Sequence, residues 1–171
     1  MKRTLFLVTL ILFSTILLPG CYTLKSNVIP AEMNTVNVGF FENNAPLVVS
    51  NLSLTFTEAL KARIRTTTRL SVVSGEGDAT FSGNITDYRS VPVSIQAPGN
   101  TNAPPIAGAQ ALTLTVKVKF DYPKDKNLSF DQTFTKSVNY SGNLASQEQQ
   151  LLQSLTNQLI DDIFNKAFNN W

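Results

Sequence analysis

Leu112-Thr113-Leu114-Thr115-Val116-Lys117-Val118-Lys119-Phe120-Asp121-Tyr122 alternates without a break, apolar at the even positions and Thr, Lys or Asp at the odd ones. Successive side chains on a strand point to opposite faces, so this stretch builds one apolar face and one wet face. A sheet with an apolar face needs a cover. Two segments supply it at helical spacing. Leu52, Phe56, Ala59, Leu60 and Ile64 form one stripe, with Asn51 and Ser53 as candidate caps, while Lys61, Arg63 and Arg65 stay polar and Thr66-Thr67-Thr68 ends the helix. Leu152, Leu155, Leu159 and Ile163 form a longer one, widened by Ile160, Phe164, Ala167, Phe168 and Trp171. Ser146 and Gln149 are spaced as a capping box at its start, and Glu148 suits the first turn.

Three further strands are predicted. Thr35 to Phe41 places Val36, Val38 and Phe40 on one face and is followed by a turn, Glu42 to Pro46. Ser71 to Asp78 leads into a strand over 79–90, with Phe81 and Ile85 inward. Leu128 to Tyr140 puts Phe130, Phe134, Val138 and Tyr140 on its apolar face, and Gln132 and Lys136 interrupt that face, which predicts a bulge or an edge position. Residues 91–111 hold four prolines and no periodicity and read as a long loop, either tolerated at the surface or ordering against a partner. The expected architecture is α+β: a two-layer α/β sandwich in the order β-α-β-β-β-α, a four-stranded sheet with both helices on one face. The other sheet face, with Thr113, Thr115, Lys117, Lys119, Asp131, Thr133 and Thr135, stays open and polar.

Upstream of the sandwich, Lys2 and Arg3 precede an apolar run from Leu5 to Leu18 and then Leu18-Pro19-Gly20-Cys21. A charged start, a greasy middle and a small residue before the cut make a secretory signal over 1–20, cleaved after Gly20. The run is shorter than the ~20 residues a stable bilayer span needs. Cys21 is the only cysteine in the chain and stands where lipoprotein processing acylates a thiol. Residues 21–34 then form an acylated tether and 35–171 a single sandwich domain. Its expected location is a membrane surface outside the cytoplasm, without disulfides and held by lipid alone.

Lys2 and Arg3 account for the net charge of +2, so the processed chain carries 12 basic and 12 acidic residues. That balance argues against nucleic-acid binding, which needs a basic excess. The chain has no histidine, which removes the commonest general base and metal ligand. No nucleophile elbow, phosphate-cradling loop or calcium loop occurs. Asp161 and Asp162 are neighbours on a helix and point to different sides, as a solvated face does. The expectation is therefore no catalytic residue, no metal and no cofactor. Lys117 and Lys119 share the open face and are candidates to meet phosphates; alternating lysines are also common solubilising charges. Lys61 and Arg65, one turn apart, read as an ordinary wet helix face.

The processed chain as a whole resembles the lipopolysaccharide-assembly lipoprotein family LptE, in its divergent Bacteroidetes-type form. The resemblance lies in the order and spacing of several segments: Cys21-Tyr22, Phe40 to Val48, Leu52 to Lys61, Leu114 to Phe120, and Asp162 to Trp171. It implies an α/β sandwich anchored by its lipid, palmitate included, to the periplasmic face of the outer membrane. It also implies a plug and assembly partner for the barrel protein LptD, and a possible contact with lipopolysaccharide. Only the acylated position, Cys21, carries over residue by residue. Tyr22-Thr23-Leu24-Lys25 holds neither the acidic run that resembles a surface-export signal nor the aspartate that resembles an inner-membrane retention signal. The alternative is a lipoprotein that reaches through the periplasm to activate a cell-wall synthase. That role wants a long tether, and here the first strand begins within about fifteen residues of Cys21.

Overall fold

The computed structural model describes residues 29–47, 49–93 and 108–168. The expected signal peptide with Gly20, the expected acylation site Cys21, the expected tether up to residue 28, the middle of the 91–111 loop, and Trp171 lie outside the described residues. The elements are β1 (Thr35–Val38), β2 (Glu42–Asn43), α1 (Leu52–Thr67), β3 (Ser71–Val73), β4 (Ala79–Pro92), β5 (Ala109–Asp121), β6 (Phe130–Ser141) and α2 (Glu148–Phe168). The strands make one sheet in the order β3-β1-β4-β5-β6, with β2 also paired to β4. β1 runs parallel to both β3 and β4, so α1 is the crossover of a right-sized β-α-β unit, while β4, β5 and β6 form an antiparallel meander.

The fold is α+β with both helices packed on the sheet, but the sheet has six strands rather than four. β2 spans two residues and β3 three, too short for a period of two to register. Ser71-Val72-Val73 therefore reads as a lead-in to the next strand when it is a strand of its own, paired with Thr35-Val36-Asn37. The 91–111 segment is also shorter as a loop than expected, because β4 continues to Pro92 and β5 starts at Ala109. Packing reaches back into the expected tether: Met33 is buried, and the Arg69 guanidinium donates to the carbonyls of Pro30 and Met33.

The core lies between the sheet and the helices. Leu112, Leu114, Val116, Val118 and Phe120 of β5 are fully buried, as the alternation requires. Phe81 and Phe120 stack at 4.6 Å between ring centroids, and Phe168 of α2 meets them edge-on at 5.9 and 5.7 Å. On β1 the expected inward Phe40 is instead 58% exposed, and Phe41 is buried against Phe56 of α1. The register explains the swap. Val38 pairs with Phe81 and Glu42 with Asn84, so the three residues 39–41 span the two residues 82–83. One residue is extra, and the parity of everything after it changes. Phe41 then lies over Gly83, where an added Cβ would sit 2.8 Å from its ring and 2.1 Å from the Lys117 carbonyl oxygen.

The bulge suspected in β6 is found in β4, where the register with β5 shifts between Ile85 and Asp87 and brings Tyr88 inward. β6 pairs evenly with β5 throughout and is an edge strand. Its interrupting Lys136 is placed on the helix side and reaches Asp162 of α2 at 2.8 Å. An inward charge on an edge strand is a known deterrent to further strand pairing. Asp161 pairs with Arg63 of α1 at 3.0 Å, so each of the two adjacent aspartates ties α2 to a different element.

Candidate functional site

The open sheet face is a ladder of short polar side chains. The Thr113 hydroxyl bonds Ser137 at 2.8 Å and Thr115 bonds Thr135 at 3.1 Å, rung by rung across β5 and β6. Lys117 lies opposite Thr133 and Lys119 opposite Asp131. Lys117 reaches Asp131 diagonally at 3.5 Å, both side chains being about half exposed at 52% and 51%. Such a pair is held weakly in water, and an incoming anion can displace it.

The same face continues onto β4, a continuation the sequence pattern did not reveal. Thr80, Ser82 and Asn84 pair with Asp121, Lys119 and Lys117, and beyond the bulge Asp87 and Arg89 pair with Thr115 and Thr113. Arg89 holds Asp87 at 3.0 Å. The alternation is legible on either side of Thr86, but the extra residue breaks the parity between the halves. Three bases (Lys117, Lys119, Arg89) thus share this face with three acids (Asp87, Asp121, Asp131). The surface is close to neutral and hydroxyl-rich.

The helices leave a second feature on the opposite side. Leu52 and Leu152 line one cavity, and Arg63 and Asp161 meet further along, so α1 and α2 run parallel with both N-termini at one end. The cavity between those first turns has a volume of about 430 Å³. Asn51, the residue before α1, has a left-handed backbone (φ 65°) and its side chain does not cap the helix. The expected capping box at α2 is not formed either: Ser146 belongs to a 3-10 turn, Leu144–Ser146, and its hydroxyl donates to the Asn143 carbonyl. Glu148 opens α2 and accepts a short hydrogen bond from the Tyr88 hydroxyl. Burial, and then that bond, push the Tyr88 phenol well above the usual tyrosine range.

At the other end of β1 the Asp78 carboxylate accepts from the Asn34 N–H and from the N–H and hydroxyl of Thr35, with Lys124 at 3.4 Å. These bonds, that from Asn34 foremost, hold its carboxyl well below the usual range. The donors are backbone and hydroxyl groups at the start of a strand, so the arrangement secures the strand's entry rather than a substrate. Among the described residues no group of three or more Cys, Asp or Glu is placed to hold a metal. No described helix is long and apolar enough to cross a membrane.

Residues 33–167 match the family LptE, described as lipopolysaccharide-assembly. No curated protein sequence matches the chain. Among solved structures, the chain is similar to the hypothetical protein CT253 from Chlamydia trachomatis, at 9% identity and TM-score 0.49, covering 79% of this chain and 98% of that one. It is also similar to a minor lipoprotein from Acinetobacter baumannii, at 13% identity and TM-score 0.45, covering 79% and 94%. A third is the rare lipoprotein B from Shewanella oneidensis, at 9% identity and TM-score 0.44, covering 78% and 90%.

Proposed function

Because this chain belongs to the lipopolysaccharide-assembly family LptE, we propose that it is a non-enzymatic lipoprotein, acylated at Cys21 and held on the periplasmic face of the outer membrane. There it partners and plugs the export barrel LptD and assists its assembly. The observation that carries this reading is the uncovered sheet face. A barrel lumen is polar, and β5 and β6 present a hydroxyl ladder whose rungs bond one another, continued by polar side chains of β4, with Val91 the exposed apolar residue at its end. Such a face can lie against a wet wall without a desolvation penalty from unpaired groups. Lys117 and Lys119 are the proposed phosphate contacts for passing lipopolysaccharide.

A photo-crosslinking amino acid at Thr135, at the centre of the ladder, tests the orientation. It should trap the barrel in growing cells, while the same probe at Glu58 on the exposed side of α1 should not. Trapping from Glu58 alone would put the helices against the barrel and overturn the reading. For the lysines, Lys117→Glu with Lys119→Glu should weaken lipopolysaccharide binding with the circular dichroism unchanged. Binding equal to that of the unaltered protein would remove them from the site.

A further inference from the structure

Of the large apolar side chains that stand exposed among the described residues, Phe40, Leu47 and Leu54 fall close together in the chain, and each is more than half exposed. The fold brings them to one flank. β3 pairs only with Thr35, Val36 and Asn37 of β1, so beyond Asn37 the strands β1 and β2 form an outer edge of the sheet. Thr57 docks α1 along that edge, its hydroxyl accepting the Phe41 N–H at 3.1 Å. Phe40 is one peptide away from this bond. Leu54 stands one helical turn before Thr57 on the same side of α1, and Leu47 lies in the connection from β2 to α1. Glu58 and Lys61, next along the helix, pair at 2.8 Å and leave the flank without net charge.

Size and the length of the tether narrow what covers this flank. Three such side chains, half exposed, offer on the order of 300 Å² of apolar surface, well short of the about 800 Å² per partner that a stable protein interface buries. A lipid surface sets no such minimum for a protein already anchored to it, because each apolar residue that enters adds its own transfer energy. The acylation at Cys21 proposed above, on which this inference rests, leaves only residues 22–29 before Pro30, whose carbonyl Arg69 holds. Fully extended, that length reaches at most about 30 Å. Phe40 lies about 17 Å along the strand from Thr35, so the flank is within reach of the bilayer that holds the lipid. We propose that this flank rests on the lipid surface, with Phe40, Leu47 and Leu54 entering the boundary between headgroups and acyl chains. The sheet then stands edge-on to the membrane, and its polar face is clear of lipid.

The test uses the acylated full chain on phosphatidylcholine vesicles whose acyl chains are brominated and quench tryptophan on contact. Trp171, the only tryptophan, is replaced by phenylalanine, and one reporter is introduced at a time. Phe40→Trp and Leu54→Trp should each lose emission relative to unbrominated vesicles. Thr133→Trp, at an exposed position of the polar face, should keep its emission. If the vesicles carry the protein but either flank reporter stays bright, or Thr133→Trp is quenched equally, the proposal is overturned and the anchor stands. Protein that does not float with the vesicles overturns the anchor, and this inference with it. Protection of the flank reporters that grows with protein concentration would put a second copy there and overturn the lipid assignment.

Discussion

Thr57 lies on the buried side of α1, and its hydroxyl accepts the Phe41 N–H at 3.1 Å. The extra residue between β1 and β2 takes that N–H out of the regular ladder, and Thr57 satisfies it from the helix. Thr57→Val should therefore leave a buried donor bare and lower stability by about 1–3 kcal/mol in urea unfolding, against little change if water reaches the amide. Gly83 is tighter still. An alanine there would force its Cβ onto the Lys117 carbonyl and the Phe41 ring, so Gly83→Ala should cost several times as much and disturb near-UV circular dichroism. Asp78 sets the acid limit of the β1 end. Its carboxyl protonates near the ordinary value of about 4 when unfolded and well below it when folded. A lowered pKa contributes stability above about pH 4 and loses it as pH falls toward the folded value. Asp78→Asn should flatten the acid unfolding curve below about pH 4; an unchanged curve would mean that other carboxylates control it.

At the scale of elements, legibility followed length. β5 declares itself over thirteen residues and both helices by their stripes, and these fold as read. β2 and β3 are too short for any period to show. The alternation on β5 and β6 gives the polar face, apart from Thr113, which is buried on it. The β4 part of that face was hidden, because a bulge at Thr86 is a pairing event between strands and leaves no local mark. The Phe40–Phe41 exchange has the same origin. Lys136 looked like a fault in β6 until Asp162, on a helix distant in sequence, supplied its partner. The first helix starts where the spacing predicts, after Asn51, but Asn51 takes a left-handed backbone and its side chain does not cap. A non-glycine residue there is strained by roughly 1 kcal/mol, so Asn51→Gly should raise the melting temperature by a few degrees. A lower one would mean that the asparagine side chain holds the turn.

The whole molecule has two ends and two faces. The described chain enters beside Arg69 and Asp78, and the tether that we propose to carry the lipid would leave from this end. The helix N-termini and their cavity lie at the other, since α1 runs from there toward β3. The helices cover one side of the sheet and the hydroxyl ladder occupies the other. A protein so arranged would be tethered at one end and polar along one side. If Cys21 is the anchor, Cys21→Ala should remove the protein from the outer-membrane fraction, and unchanged fractionation would contradict the anchor. The barrel partnership is tested most directly by affinity recovery of the acylated, C-terminally tagged protein from detergent-solubilised outer membranes. We predict stoichiometric recovery of one large β-barrel, reduced by charged substitutions in the Thr113–Thr115–Thr135 ladder. Recovery of a cell-wall synthase, or of no barrel at all, would contradict the account.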